Sequence, residues 1–378
     1  MNLICATSVT CGADAFAPLA NMNGNGSLNL LQETDITPAA VKSADAVITR
    51  SKTKLNPSLF QGASVRFAGT CTAGIDHADP DALAAMGIHF ASAPGCNANA
   101  VSEYLLAVLL LHQPQTGFTF HGKTLGIVGL GQVGSRVARK AEALGMRVLR
   151  NDPPLQDCGT PGPWTALDDL LPNVDVLTLH VPLVDAGPHP TRNLISAENL
   201  ARLKPGACLI NACRGEVLDA PAAAAARQNG HLSQLILDVW DPEPDLPADI
   251  LAAADIASPH IAGHSLEGKA NGTRQIHDAL CEHFGIDHPW DPTPLLPPPE
   301  VTHLTLPEGQ NFITRLRQAV LACYNPALDD QALRQNPAGF NQQRRNYRDR
   351  REFNATTIHG LTPREIPIYT TLGFQIPK

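Results

Sequence analysis

Three side chains with complementary chemistry each follow a short apolar run: Arg214 after LINAC, Glu243 after LILDVW, and His260 at the end of IASPH. Arginine is a permanent, fork-shaped cation suited to a substrate carboxylate or a developing alkoxide. Histidine takes up a hydroxyl proton near neutral pH, and a carboxylate beside it orients the ring and favours its charged form. Upstream, Gly129-Leu130-Gly131-Gln132-Val133-Gly134 spells G-x-G-x-x-G between the run LGIV and the helix-compatible QVGSRVARKAEALG. The first glycine permits a tight turn, the second lets backbone approach a pyrophosphate, and the third lets helix and strand pack closely. Helix N–H groups and the helix dipole then hold the anion. Asp152 ends the next β-rich run, where a carboxylate accepts adenosine ribose hydroxyls and repels a 2′-phosphate, so NAD is expected rather than NADP.

These residues need a scaffold that brings separate stretches of chain together. The runs LGIVGL (125–130), RVLRND (147–152), DVLTLH (175–180), CLINACR (208–214), LILDVW (235–240) and DIASPH (255–260) alternate with helix-compatible segments. Continuous apolar runs of this length belong to strands buried on both faces, hence a parallel, doubly wound sheet whose ligand crevice lies beyond the strand C-termini. The first hundred residues repeat the theme, with DAVITRS (45–51) and SVRFAGT (64–70) as strands, ADPDALAAMG (78–87) as a helix and NMNGNGSLN (21–29) as a surface loop. ANAVSEYLLAVLLLH (98–112) is apolar around nearly its whole circumference, which predicts a helix buried between two lobes. Seven prolines in 289–307 mark a linker to a third unit. The expected architecture is α/β: two Rossmann-like doubly wound parallel-sheet lobes and a small C-terminal α/β domain. Its boundaries are 1–97 with 256–286 for a discontinuous substrate lobe, 98–255 for the NAD-binding domain, and 287–378 for the C-terminal domain.

Composition narrows the function classes. The 378 residues are 43% hydrophobic, which supplies a substantial core. Twenty-eight Lys and Arg against 36 Asp and Glu give a net charge of −8, which repels nucleic acid and anionic membranes and favours a small captured substrate. The nine cysteines form no C-x-x-C pair, so neither a zinc site nor a disulfide framework is expected and no metal is called for. With no basic leader and no apolar stretch near the roughly 20 residues that span a bilayer, a cytoplasmic protein is expected. Against the acidic background, Arg344, Arg345, Arg348, Arg350 and Arg351 cluster within eight residues. They read either as a solvated or intersubunit ion-pair face or as ligands for a substrate phosphate.

The strings GLGQVG, NACRGEVLD, LDVWDPEP and SPHIAGHSLEGK resemble the D-isomer-specific 2-hydroxyacid dehydrogenases. That resemblance implies a catalytic trio of Arg214, Glu243 and His260. It also implies NAD contacts at Gly129, Gly131, Gln132, Val133, Gly134, Asp152, Val181, Asp238 and Gly263, with Asp238 near the carboxamide. TRSKTKLN (49–56), GTCTAGIDH (69–77), SAPGCNANAVSEYL (92–105), GHSLEGKA (263–270) and the C-terminal LLPPPE and RRNYRDRRE narrow it to members acting on a small phosphorylated hydroxy acid. Ser51, Thr72 and His264 would then contact the substrate, and the C-terminal extension would form a homodimer. His264 stands where the family has Tyr, Val181 where Thr is usual, and the first strand ICATS lacks the expected acidic residue. His77 is either a second substrate-side histidine or an exposed residue near a helix start. The alternatives are a dehydrogenase for another 2-hydroxy acid, such as phosphoglycerate or glycerate, and a nucleotide-sensing, corepressor-like binding protein.

Overall fold

The computed structural model describes every residue except Asn23, His112 and Lys378. The chain divides into two compact units, Met1–Asn97 with Ser265–Pro297, and Ala98–His264 with Pro298–Lys378. In the first, β1 (Asn2–Ala6), β2 (Ser27–Leu31), β3 (Ala46–Thr49), β4 (Phe67–Thr70) and β5 (His89–Ala91) form a parallel sheet ordered β2-β1-β3-β4-β5. Leu3, Val47, Ile48 and Phe67 from the strands meet Phe16 of the helix Gly12–Asn21 and Ile276 and Leu280 of the helix Leu266–Phe284 in one core. The stretch expected as a loop at 21–29 contains the start of β2, in register with β1 from Asn2 opposite Ser27 to Ala6 opposite Leu31. SLNLL conceals the strand because this edge element is largely solvated and needs no apolar run.

The second unit is built on β6 (Thr124–Val128), β7 (Arg147–Asn151), β8 (Val176–Leu179), β9 (Ala207–Asn211), β10 (Leu232–Leu237) and β11 (Ile256–Ala257), all parallel and ordered β11-β10-β9-β8-β6-β7. A parallel bridge from Arg150 to Trp164 extends the sheet beyond β7. The order reverses between β6 and β8, the switch point where such sheets open a ligand crevice. The substrate lobe was expected to resume at 256. Instead β11 pairs with β10, so His260 stays with the second unit and the chain rejoins the first at Ser265.

The C-terminal segment carries a parallel pair, β12 (His303–Thr305) and β13 (Thr357–His359), and the helices Phe312–Cys323, Ala327–Gln335 and Ile366–Leu372. It is not a separate core: Leu316, Val320, Tyr324, Phe353 and Tyr369 pack in the same cluster as Leu125, Ile127 and Val137 of the large sheet and its first helix. The helix Ala98–Leu111 is buried along almost its whole length, against the helices Gln132–Ala143 and Phe312–Cys323 of its own unit. His112, expected to end it, lies outside the described residues. No described helix is long and apolar enough to cross a membrane.

Candidate active site

The glycine loop follows β6 directly. Gly129 has φ of +93°, and a Cβ there would stand 2.5 Å from the His180 carbonyl oxygen. A Cβ on Gly134 would meet the Gly129 carbonyl oxygen at 2.0 Å, so the helix Gln132–Ala143 starts hard against the strand only because this residue has no side chain. Gly131 is different, with nothing within 4 Å of its missing Cβ. It leaves open space at the tip of the loop, in front of the helix N–H groups of Gln132, Val133 and Gly134 that have no partner within a helix. Asp152 joins this loop to the end of β7: Oδ2 accepts from the Leu130 N–H at 2.7 Å, and Oδ1 caps the helix Pro153–Asp157 by accepting from the Leu155 N–H at 3.1 Å. A fixed carboxylate at the second strand beside an open, Cβ-free turn fits a dinucleotide.

Val181 sits beyond β8 at the wall of this loop, where its Cγ1 would lie 3.0 Å from a Cβ on Gly129. The residue before it escaped the sequence reading. His180 bonds the Thr178 hydroxyl at 3.0 Å through Nε2, and burial pushes its pKa down to about 3, so it is neutral at any working pH. Near neutral pH it is a fixed dipole and takes no proton.

Arg214, Glu243 and His260 follow the C-terminal ends of β9, β10 and β11, three adjacent strands. His260 Nδ1 faces both oxygens of Glu243, at 2.9 and 3.1 Å, with the two side chains 32% and 22% exposed. Glu243 Oε1 also accepts from the Trp240 N–H at 3.1 Å. Burial alone would raise the Glu243 carboxyl, but the His260 hydrogen bond and charge, the Trp240 N–H and the Arg344 charge outweigh it and hold the carboxyl below its ordinary range. The pair therefore presents an ionised carboxylate to Nδ1 and leaves Nε2 as the ring atom for chemistry. Arg214 is half-buried, donating from Nη1 to the Cys213 carbonyl at 2.7 Å, while its own carbonyl accepts from Asn211 at 2.9 Å.

His260 itself has φ of +55°, a left-handed backbone that costs a non-glycine residue about 1 kcal/mol or more. Asp238 holds it there. The Asp238 carbonyl accepts from the His260 N–H at 2.7 Å, and its carboxylate accepts from Ile261 N–H (2.8 Å), Ala262 N–H (2.9 Å) and the Ser258 hydroxyl (2.6 Å). Asp238 is only 1% exposed. Both of its oxygens brace the turn that carries His260. Gly263 follows on that turn, half-buried, and the His264 ring packs edge-on to Tyr347 at 5.7 Å.

In the first unit, Ser51 and Thr72 lie just beyond the C-terminal ends of the neighbouring strands β3 and β4. Ser51 is exposed. The Thr72 hydroxyl donates to the Gly74 carbonyl at 2.9 Å and pairs with the Thr70 hydroxyl at 2.9 Å, which in turn bonds His77 Nε2 at 3.0 Å. His77 is therefore half-buried and tied to a threonine pair, and burial lowers its pKa. Within the arginine cluster, Arg348 pairs with Asp329 at 3.3 Å and Arg350 is 4% exposed, so these two are engaged inside their own chain. Arg344 is the member whose charge reaches Glu243, a placement that no local sequence signal announces.

A family model described as the D-isomer specific 2-hydroxyacid dehydrogenase NAD binding domain matches residues 109–262, and one described as a domain of unknown function matches 295–373. The erythronate-4-phosphate dehydrogenase of Cronobacter sakazakii is 42% identical over 353 residues, 93% of each chain. This chain belongs to the erythronate-4-phosphate dehydrogenase family, a branch of the D-isomer specific 2-hydroxyacid dehydrogenases. The relative of that name from Escherichia coli O157:H7 is 43% identical over 343 residues, 90% of each chain. A crystal structure of D-lactate dehydrogenase from Aquifex aeolicus complexed with NAD and lactic acid has a TM-score of 0.59 at 26% identity, covering 75% of this chain and 96% of that one. As a member of this family the chain is an NAD-dependent dehydrogenase, and the glycine loop and Asp152 are the features expected to receive NAD.

Proposed function

We propose that the protein oxidises 4-phospho-D-erythronate at C2 to 2-oxo-3-hydroxy-4-phosphobutanoate, a step of pyridoxal 5′-phosphate biosynthesis, as a cytoplasmic homodimer. The observation that carries the chemistry is the His260–Glu243 pair at 2.9 Å beyond β11. His260 Nε2 takes the proton of the C2 hydroxyl, and Glu243 stabilises the imidazolium that forms. Arg214 binds the substrate carboxylate and polarises the C2 oxygen as it becomes a carbonyl. NAD held at the glycine loop would supply the acceptor for the hydride at C2. The Asp152 carboxylate would receive the ribose hydroxyls and the backbone around Gly129, Gly131, Gln132, Val133 and Gly134 the pyrophosphate, with Val181, Asp238 and Gly263 as the further residues that would hold the cofactor. Ser51, Thr72 and His264 contact the substrate.

Support for a phosphorylated substrate comes from the relatives' name and from Arg344, a cluster member whose charge helps to lower the Glu243 carboxyl. A phosphate dianion gains roughly 1.5–3 kcal/mol from each charge-assisted contact, so erythronate should be a far poorer substrate than its 4-phosphate. The test is kcat/KM for 4-phosphoerythronate, erythronate and 3-phosphoglycerate with the wild type and Arg344→Ala. Loss confined to phosphorylated substrates supports the phosphate role. Equal losses on all three, with a fall to monomer by light scattering, support the interface role for the arginines. Comparable wild-type efficiency on erythronate and its phosphate rejects the substrate.

A further inference from the structure

We propose that Arg350, in the C-terminal segment that matches only a domain of unknown function, is a positioning residue for the acid–base turn: its guanidinium bridges the Ala262 and Ala100 carbonyls and so fixes the backbone that carries His260. This rests on the reading of His260 as the proton acceptor.

The turn 258–264 is gripped from two sides. From the sheet, the Asp238 carboxylate accepts the N–H groups of Ile261 and Ala262. From the C-terminal segment, Arg350 Nη1 donates to the Ala262 carbonyl at 3.1 Å, and Nη2 donates to the Ala100 carbonyl in the first turn of the helix Ala98–Leu111 at 2.8 Å. Ala262, two residues past His260, thus has its N–H on a carboxylate and its C=O on a guanidinium. Two residues further on, Tyr347 packs on the His264 ring, a second hold from the same segment.

The surroundings of Arg350 suit a rigid strut. Its guanidinium lies 3.7 Å from the centroid of the Tyr324 ring, and Glu103 Oε2 stands 3.7 Å from Nη2, with both side chains essentially without solvent and burial pushing the Glu103 carboxyl up to about 8. Burying such a pair gains little net stability, because desolvation offsets the attraction and apolar replacements are often neutral or stabilising. What the arrangement does supply is direction. A planar fork held on an aromatic face presents its N–H groups at fixed angles, which a lysine cannot reproduce. Two carbonyls 162 residues apart in sequence, Ala100 and Ala262, are thereby held in register beside a residue in a strained left-handed conformation.

The experiment uses the full-length enzyme with Arg350→Lys and Arg350→Met. It measures kcat, the primary isotope effect with C2-deuterated 4-phosphoerythronate, NADH affinity by fluorescence, and Tm. Arg350→Lys keeps the charge but reaches one carbonyl rather than two. It should lose about 10–100-fold in kcat, the scale expected for ångström misplacement of a catalytic group. NADH affinity should stay within about twofold while the isotope effect rises as hydride transfer becomes rate-limiting. Tyr324→Leu, which removes the aromatic face and leaves both hydrogen bonds possible, should shift kcat and the isotope effect in the same direction by less; it carries the test with Arg350→Lys if Arg350→Met does not fold. Unchanged kcat and isotope effect per folded enzyme in Arg350→Lys, with or without a lower Tm, overturns the proposal. His260→Asn separates the two ideas: if it retains full activity the proton-acceptor reading fails, whereas an inactive His260→Asn beside a fully active Arg350→Lys refutes only the role of Arg350.

Discussion

Replacing Glu243 by Gln should impair catalysis more than replacing it by Ala, and the geometry says why. Glu243 Oε1 accepts the Trp240 N–H at 3.1 Å, so the amide oxygen of a glutamine is drawn to that position. Its NH2 group then occupies the Oε2 position, 2.9 Å from His260 Nδ1, and donates to it. An imidazole that accepts at Nδ1 carries its proton on Nε2, which leaves Nε2 unable to take the substrate proton. Loss of the charge-assisted bond adds about 1 kcal/mol against the imidazolium, after allowance for side chains that are 22% and 32% exposed. Together these predict a drop in kcat on the order of 10²–10⁴-fold for Glu243→Gln. Glu243→Ala admits water at Nδ1, leaves the tautomer free and should lose less. Residual activity of Glu243→Gln should show its acid limb displaced downward, because the imidazolium loses its charged partner. The assay is NADH absorbance from pH 5.5 to 9 with saturating NAD. A Glu243→Gln enzyme that outperforms Glu243→Ala, or a pH profile superposing on the wild type, would refute the tautomer argument. Stability offers a second check. A carboxyl held below its unfolded pKa stabilises the fold above that value, and the stabilisation is lost as pH falls through the folded pKa. The Tm gap between wild type and Glu243→Gln should therefore narrow only as pH is lowered below the ordinary carboxyl value of about 4.5.

Gly131→Ala should fold with wild-type Tm, because nothing lies within 4 Å of the added methyl, yet lose at least tenfold in NADH affinity by fluorescence titration; undiminished affinity would remove this residue from the cofactor path. Gly134→Ala should instead lose about 1–3 kcal/mol of stability by overpacking against the Gly129 carbonyl, read as a lower midpoint in urea, and a wild-type midpoint would contradict the contact. Asp152→Ala removes the acceptor of two backbone bonds, so it should cost about 1 kcal/mol as a lost cap and also narrow the kcat/KM preference for NAD over NADP. An unchanged preference would show that Asp152 does not select the cofactor.

What the sequence determined by itself is what short-range physics controls. Apolar runs such as LGIV and LILDVW can be buried on both faces only in a covered parallel sheet, and the glycines at 129 and 134 are forced by contacts made within a few residues of themselves and by the strand next door. Once those strands are parallel, residues just past their C-termini must converge, which is why Arg214, Glu243 and His260 were legible as a group. The edge strand β2 was not, because a solvated edge strand needs no apolar pattern. Other features were decided by partners far along the chain. Nothing local in the sequence shows that the 258–262 turn folds onto the Asp238 carboxylate, and Arg350 reads as part of a surface-like run of arginines until its guanidinium meets carbonyls 88 and 250 positions away. The C-terminal segment reads as a separate domain behind a proline-rich linker, but its apolar residues complete the core of the large sheet. Sequence spacing sets which residues the strands deliver to the crevice; only the closure of the core sets which buried charges face one another, because a charge is tolerated inside only where tertiary contacts bring a partner to it.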